Sequence, residues 1–203
     1  MRQFTMLLTV AVLIVIAAPA IPADEKSGLN DEGFVTAWLL LAPIPMSEGQ
    51  TGAEAVDKQQ VPNESQLKPK AGDELTVGGK ELTWKQYKPK DYFFDFNDHL
   101  GQQTEDSVGY AVCYIQAPAD MKVQLKTGSD DQAKVYLNGK EVFKKDEARA
   151  LEKDQDTTPV DLKKGVNVLV FKVVNEKVDW SGCARFVDKS DQPVKGLKAT
   201  VTP

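Results

Sequence analysis

The chain of 203 residues carries one histidine and two cysteines. His99 stands in the polar run Asn97-Asp98-His99, and neither a GxSxG nor an HExxH pattern occurs anywhere, so the residue sets behind the common serine-hydrolase and zinc-protease chemistries are missing. A lone loop histidine is ordinarily a solvated one. Carboxylates are plentiful, but a glycosidase-type acid and base pair is defined by a separation in space that sequence does not give. The expectation is a protein that is not an enzyme. Cys113 and Cys183 form no CxxC and supply too few ligands for a zinc site. Their state stays open, because an exported chain can keep a disulfide while both strand-like settings also suit buried free thiols. Positive charge is in deficit too. With 25 Lys and Arg against 30 Asp and Glu, the formal net charge is -5, which disfavours nucleic acid and anionic membrane surfaces as partners. Long amphipathic helical patterns and internal repeats are also absent.

The N-terminus has the three-part layout of a secretory signal peptide. Arg2 precedes an apolar run over residues 4–18, small residues follow in Ala18-Pro19-Ala20 and Ile21-Pro22-Ala23, and charge begins at Asp24. The apolar run is shorter than the ~20 residues a spanning helix needs. Cleavage is expected after Ala23 or Ala20, giving a secreted or periplasmic protein with no membrane insertion after processing. Residues 24–33 then read as a flexible leader and 34–203 as one domain, since about 180 residues suffice for a single well-filled core.

What is present most clearly is β structure. Asn138-Gly139 lies between alternating apolar runs, and this pair readily adopts the positive φ angles of a two-residue type I′ hairpin. The predicted register pairs Leu137 with Lys140 and sets Val135 opposite Val142, with Tyr136 and Phe143 on the other face. Residues 166–174 are almost continuously apolar and β-branched, which predicts a central strand covered on both faces. Residues 34–42 form another apolar run, expected to end as a strand at Pro43 and Pro45. Residues 46–73 are poor in large apolar side chains and read as a long surface excursion with a short helix near 53–58. About ten short strands indicate an antiparallel β-sandwich or jelly roll.

The ordered series Trp38-Leu39-Leu40-Leu41-Ala42-Pro43, Glu64, Leu82-Thr83-Trp84, Tyr110-Ala111-Val112, Gly128-Ser129-Asp130-Asp131, Val135-Tyr136-Leu137-Asn138-Gly139, Leu162-Lys163-Lys164-Gly165-Val166-Asn167, Trp180 and Phe186 resembles the exported galactose-binding-like β-sandwich modules appended to bacterial glycoside hydrolases. The resemblance spans most of the chain and implies a non-catalytic module for carbohydrate or another extracellular polymer. A structural protein of the cell envelope, using the sandwich for self-association or for contacts with an envelope protein, is the alternative. Aromatic rings can stack on the apolar face of a sugar, and Trp84, Tyr87, Tyr92 and Trp180 are the candidates, whereas Trp38 and Phe171 sit in the most apolar runs and are expected in the core. No cofactor is required. Asp130 and Asp131 are the candidate calcium ligands, as a comparable pair serves in protective-antigen-like lectin domains, and the competing reading is an Asx turn at the strand end.

Overall fold

A computed structural model describes residues 28–203. The expected signal peptide lies outside the described residues. Residues 28–33, read as leader, are held in place: the Gly28 N–H donates to the Ala199 carbonyl at 3.1 Å, and Leu29 bridges Val35.

The domain is an antiparallel β-sandwich. The larger sheet runs in the order β4 (Lys85–Tyr87), β1 (Trp38–Pro45), β6 (Ser107–Ala117), β11 (Gly165–Asn175), β8 (Ala133–Leu137) and β9 (Lys140–Lys145), with β13 (Lys198–Thr200) also paired to β6. The smaller sheet runs β10 (Asp156–Leu162), β7 (Met121–Asp130), β12 (Ser181–Val187) and β5 (Phe94–Asp95). A separate hairpin joins β2 (Glu74–Val77) to β3 (Lys80–Thr83), and two short α-helices, α1 (Gly52–Asp57) and α2 (Phe96–Leu100), and a 3-10 helix at Glu64–Gln66 complete the elements.

Alternation along the strands divides the apolar residues between two cores. Leu40, Cys113, Ile115, Leu169 and Phe171 face inward against Leu125, Leu162, Ala184 and Phe186 of the smaller sheet, and Trp38 joins them. Leu39, Leu41, Tyr110, Val112, Tyr136 and Val170 point to the other side of the larger sheet and form a second core. The sandwich therefore has three layers over β6 and β11. The third layer is the segment 46–73 with the β2–β3 hairpin, which corrects its reading as a surface excursion: Ala55, Val56 and Val61 are buried against the sheet, and Leu67, Leu75, Val77 and Leu82 pack partly on it. A central strand apolar on both faces leaves one face in water unless something covers it, and each fully buried Val or Leu contributes roughly 1.5–3 kcal/mol. Helix α1 starts with a capping box in which Thr51 and Glu54 satisfy each other's backbone N–H groups.

Two strand details differ from the sequence reading. The turn is as expected, with Asn138 at φ 52° and Gly139 at φ 82°, and Leu137 pairs with Lys140. A β-bulge then makes Val142 an extra residue, so Val135 faces Phe143. Both Val142 and Phe143 can thereby pack against the inner core. Strand β1 also continues through Pro43 to Pro45, with a register shift between Leu41 and Ile44. Strand β4 covers only Trp38 to Leu40, so the prolines occupy a stretch with one free edge and an irregular ladder, where a missing N–H is tolerated.

Candidate functional site

The fold separates the four candidate aromatics. Trp180 has 0% exposure; its ring lies 4.4 Å from Phe96 and its indole N–H donates to the Val173 carbonyl at 3.3 Å. Trp84 has 3% exposure and belongs to the second core, where its backbone bonds to Gly72 and Asp73. Neither has a face to offer a sugar. Their positions in polar stretches misled the reading, because a large ring capping a core from a loop looks the same in sequence as an exposed one. Trp38 and Phe171 are in the inner core as expected.

Tyr92 and Tyr87 are half-buried at the surface. The Tyr92 ring packs 5.3 Å from Phe34, and the Lys153 ammonium sits 4.4 Å from its centroid, so neighbours of the domain itself occupy its surroundings. Tyr87 is placed differently. At the end of edge strand β4 it helps to wall a cleft of about 450 Å³ with Thr36, Ala37, Gln86, Lys88 and Val201. Its hydroxyl donates to Asp98 Oδ2 at 2.9 Å, and His99 stands edge-on to its ring at 5.9 Å. These contacts fix the ring. Burial, then the bonded Asp98, pushes the phenol well above its ordinary pKa, so Tyr87 is neutral at any physiological pH. Burial lowers the His99 pKa, with Lys85 acting in the same direction, which favours neutral imidazole. Thr36, Gln86 and Lys88 were not singled out from sequence, although the run Lys85-Gln86-Tyr87-Lys88-Pro89-Lys90, an aromatic set among cations, was a visible signal.

Asp130 and Asp131 lie where β7 leaves the smaller sheet for β8, and the peptide bond between them is cis. Asp131 behaves as a loop fastener: its carboxylate accepts the Glu176 N–H at 2.9 Å, and its own N–H donates to the Val174 carbonyl at 3.0 Å. Asp130 has 8% exposure, and burial followed by the charges of Asp131 and Asp179 raises its carboxyl to about 6. Among the described residues no group of three or more His, Cys, Asp or Glu side chains is arranged to hold a metal ion. The bond from Asp131 spans 45 positions, so it ties two loops together and is not the local Asx turn expected at Asp130.

A polar cluster that sequence did not reveal lies beneath the third layer. Lys172, at 0% exposure, projects from β11 into the second core, where its ammonium donates to the carbonyls of Val56 and Lys58 at 3.0 and 2.6 Å and meets Glu64 Oε2 at 3.3 Å. Glu64 in turn accepts from the hydroxyls of Tyr110 and Tyr136 at 2.5 and 2.7 Å. Burial depresses the lysine to about 8, opposed by Glu64. Every oxygen and proton of this cluster is spent on protein partners, so it fastens the third layer and offers no reactive group to a ligand. The Glu64 in the family-like series had a visible place in sequence, but its partners are separated from it by 46, 72 and 108 positions.

No family model, curated protein or solved structure matches the chain. No helix among the described residues is long and apolar enough to cross a membrane.

Proposed function

We propose that the protein is a non-catalytic, exported binding module of the galactose-binding-like kind that holds carbohydrate or another extracellular polymer in the Tyr87 cleft. The observation that carries this reading is the cleft itself: apolar walls from Leu29, Ala37 and Val201 beside the hydrogen-bonding groups of Thr36 and Gln86, at the end of β4 where Tyr87 stands. That combination suits a sugar, which needs an apolar wall for its C–H face and polar partners for its hydroxyls. A volume of about 450 Å³ falls in the range of small-molecule sites. The polar clusters elsewhere are committed to holding loops and layers together, which supports a role without catalysis.

The envelope-assembly alternative draws less support from the surface. Among the described residues only two large apolar side chains, Val166 and Val178, are exposed. The edge strands are also poor templates for pairing, since β9 reads Lys-Glu-Val-Phe-Lys-Lys, β10 contains Pro159, and β4 spans three residues. A glycan array probed with the mature protein tests the proposal. Binding is expected to at least one polysaccharide and to be lost in Tyr87→Ala while the circular dichroism spectrum is kept. Failure of the folded protein to bind any glycan would sink it.

A further inference from the structure

We infer that the cleft takes an acidic polysaccharide, one bearing carboxylate or sulfate groups, with Lys88 as the residue that selects for charge; this rests on the reading of the cleft as a polymer site. The chain as a whole is acidic, with 30 Asp and Glu against 25 Lys and Arg. The cleft departs from that balance. Its walls, from Gly28, Leu29, Thr36, Ala37, Gln86, Tyr87, Lys88 and Val201, contain no carboxylate, and their one charged side chain is a lysine.

The lysines of this strand run are not equivalent. Lys90 is paired with Asp98 at 3.4 Å, and Asp98 also accepts the Tyr87 hydroxyl, so that carboxylate is engaged from two sides. Lys85 and Lys88 are both exposed, and among the described residues neither enters an ion pair. They alternate along β4 and its exit, so Lys85 lies toward α2, where it acts on His99, while Lys88 follows Gln86 to the cleft side. A sugar in the cleft would set its hydroxyls near Thr36 and Gln86 and a ring carboxylate or sulfate near the Lys88 ammonium. A neutral glycan offers that ammonium hydroxyl acceptors alone, whereas a carboxylate or sulfate adds an ion pair to the hydrogen bond, so Lys88 favours the charged polymer.

Affinity electrophoresis of the mature protein through gels containing polygalacturonate, dextran sulfate or unmodified dextran tests the assignment. Retardation is expected in the two anionic gels and not in dextran, with Lys88→Gln weakening it by about fivefold, the effect of one exposed ion pair. Lys122→Gln, on the outer face of the smaller sheet, serves as a control that is expected to leave retardation unchanged. Retardation by neutral dextran alone would overturn the acidic specificity while leaving the binding module standing. Retardation in the anionic gels that Lys88→Gln does not reduce, or that Lys122→Gln reduces equally, would overturn the assignment to this cleft. If no polymer in the gels or on the glycan array is bound, both readings fail together. A preference for polygalacturonate over dextran sulfate, or the reverse, would identify which anion Lys88 meets.

Discussion

Asp130 gives the fold a specific dependence on acidity. Its carboxyl titrates at about 6 in the folded protein because burial, then Asp131 and Asp179, disfavour the charged form, whereas an aspartate in an unfolded chain titrates near 3.9. The folded state therefore keeps a proton over a range in which the unfolded chain has lost it. The stability this contributes is fully present below about pH 4 and disappears as pH rises through 6. Asp130→Asn removes the charge while keeping an oxygen for the Leu151 N–H that the carboxylate accepts. The variant is expected to be more stable than the parent by about 1 to 2 kcal/mol at pH 7 in urea unfolding, and to match it near pH 4. Parallel stability profiles across that range would show that the Asp130 carboxyl carries no such shift.

At the scale of elements, the third layer depends on one carboxylate. Glu64 joins residues 46–73 to β6, β8 and β11 through Tyr110, Tyr136 and Lys172, and Asp57 adds ion pairs to Lys134 and Lys144 at 2.9 and 2.8 Å. Those lysines hold Asp57 down at about 2, so the outer pairs persist at any ordinary pH. Removing Glu64 would strand the ammonium of Lys172 in an apolar layer. Glu64→Ala is expected to cost about 3–5 kcal/mol in urea unfolding and to expose residues 46–73 to limited proteolysis, while the double variant Glu64→Leu with Lys172→Met recovers much of the loss. Additive losses in the double variant would contradict a coupled pair. How far these elements were readable from sequence follows from the range of the forces involved. The hairpin at Asn138-Gly139 and the strand at Val166 to Val174 are set by turn chemistry and alternation within a few residues, and they were legible. The third layer was not, because Ala55, Val56, Val61 and Leu67 are small or widely spaced and show their apolar face only once a sheet lies beneath them. The Val142 bulge was hidden for a similar reason: two adjacent apolar residues fit either register until the inner core selects one. At the candidate site Tyr87 was legible as an aromatic among polar residues, whereas Trp84 and Trp180 looked equivalent to it, since burial of a loop aromatic is decided by distant chain.

The whole molecule is closed to solvent around its thiols. Cys113 lies in the inner core between β-sheet layers, Cys183 is covered on the outer face of the smaller sheet near the Glu152 carbonyl, and both are free. Burial pushes the Cys183 thiol up to about 12 and Cys113 well above its ordinary value, so neither is thiolate at neutral pH. Titration with a disulfide reagent is expected to find no reactive thiol in the native protein and two after denaturation. A prompt reaction of either one would mean that the sandwich opens locally. The meeting of Gly28 with Ala199 has a different consequence. Because the first and last described segments leave the sandwich side by side, a polypeptide joined at either point departs from one spot on the surface. Such a domain can be spliced into a loop of a larger protein without stretching its host, as readily as it can hang from an end.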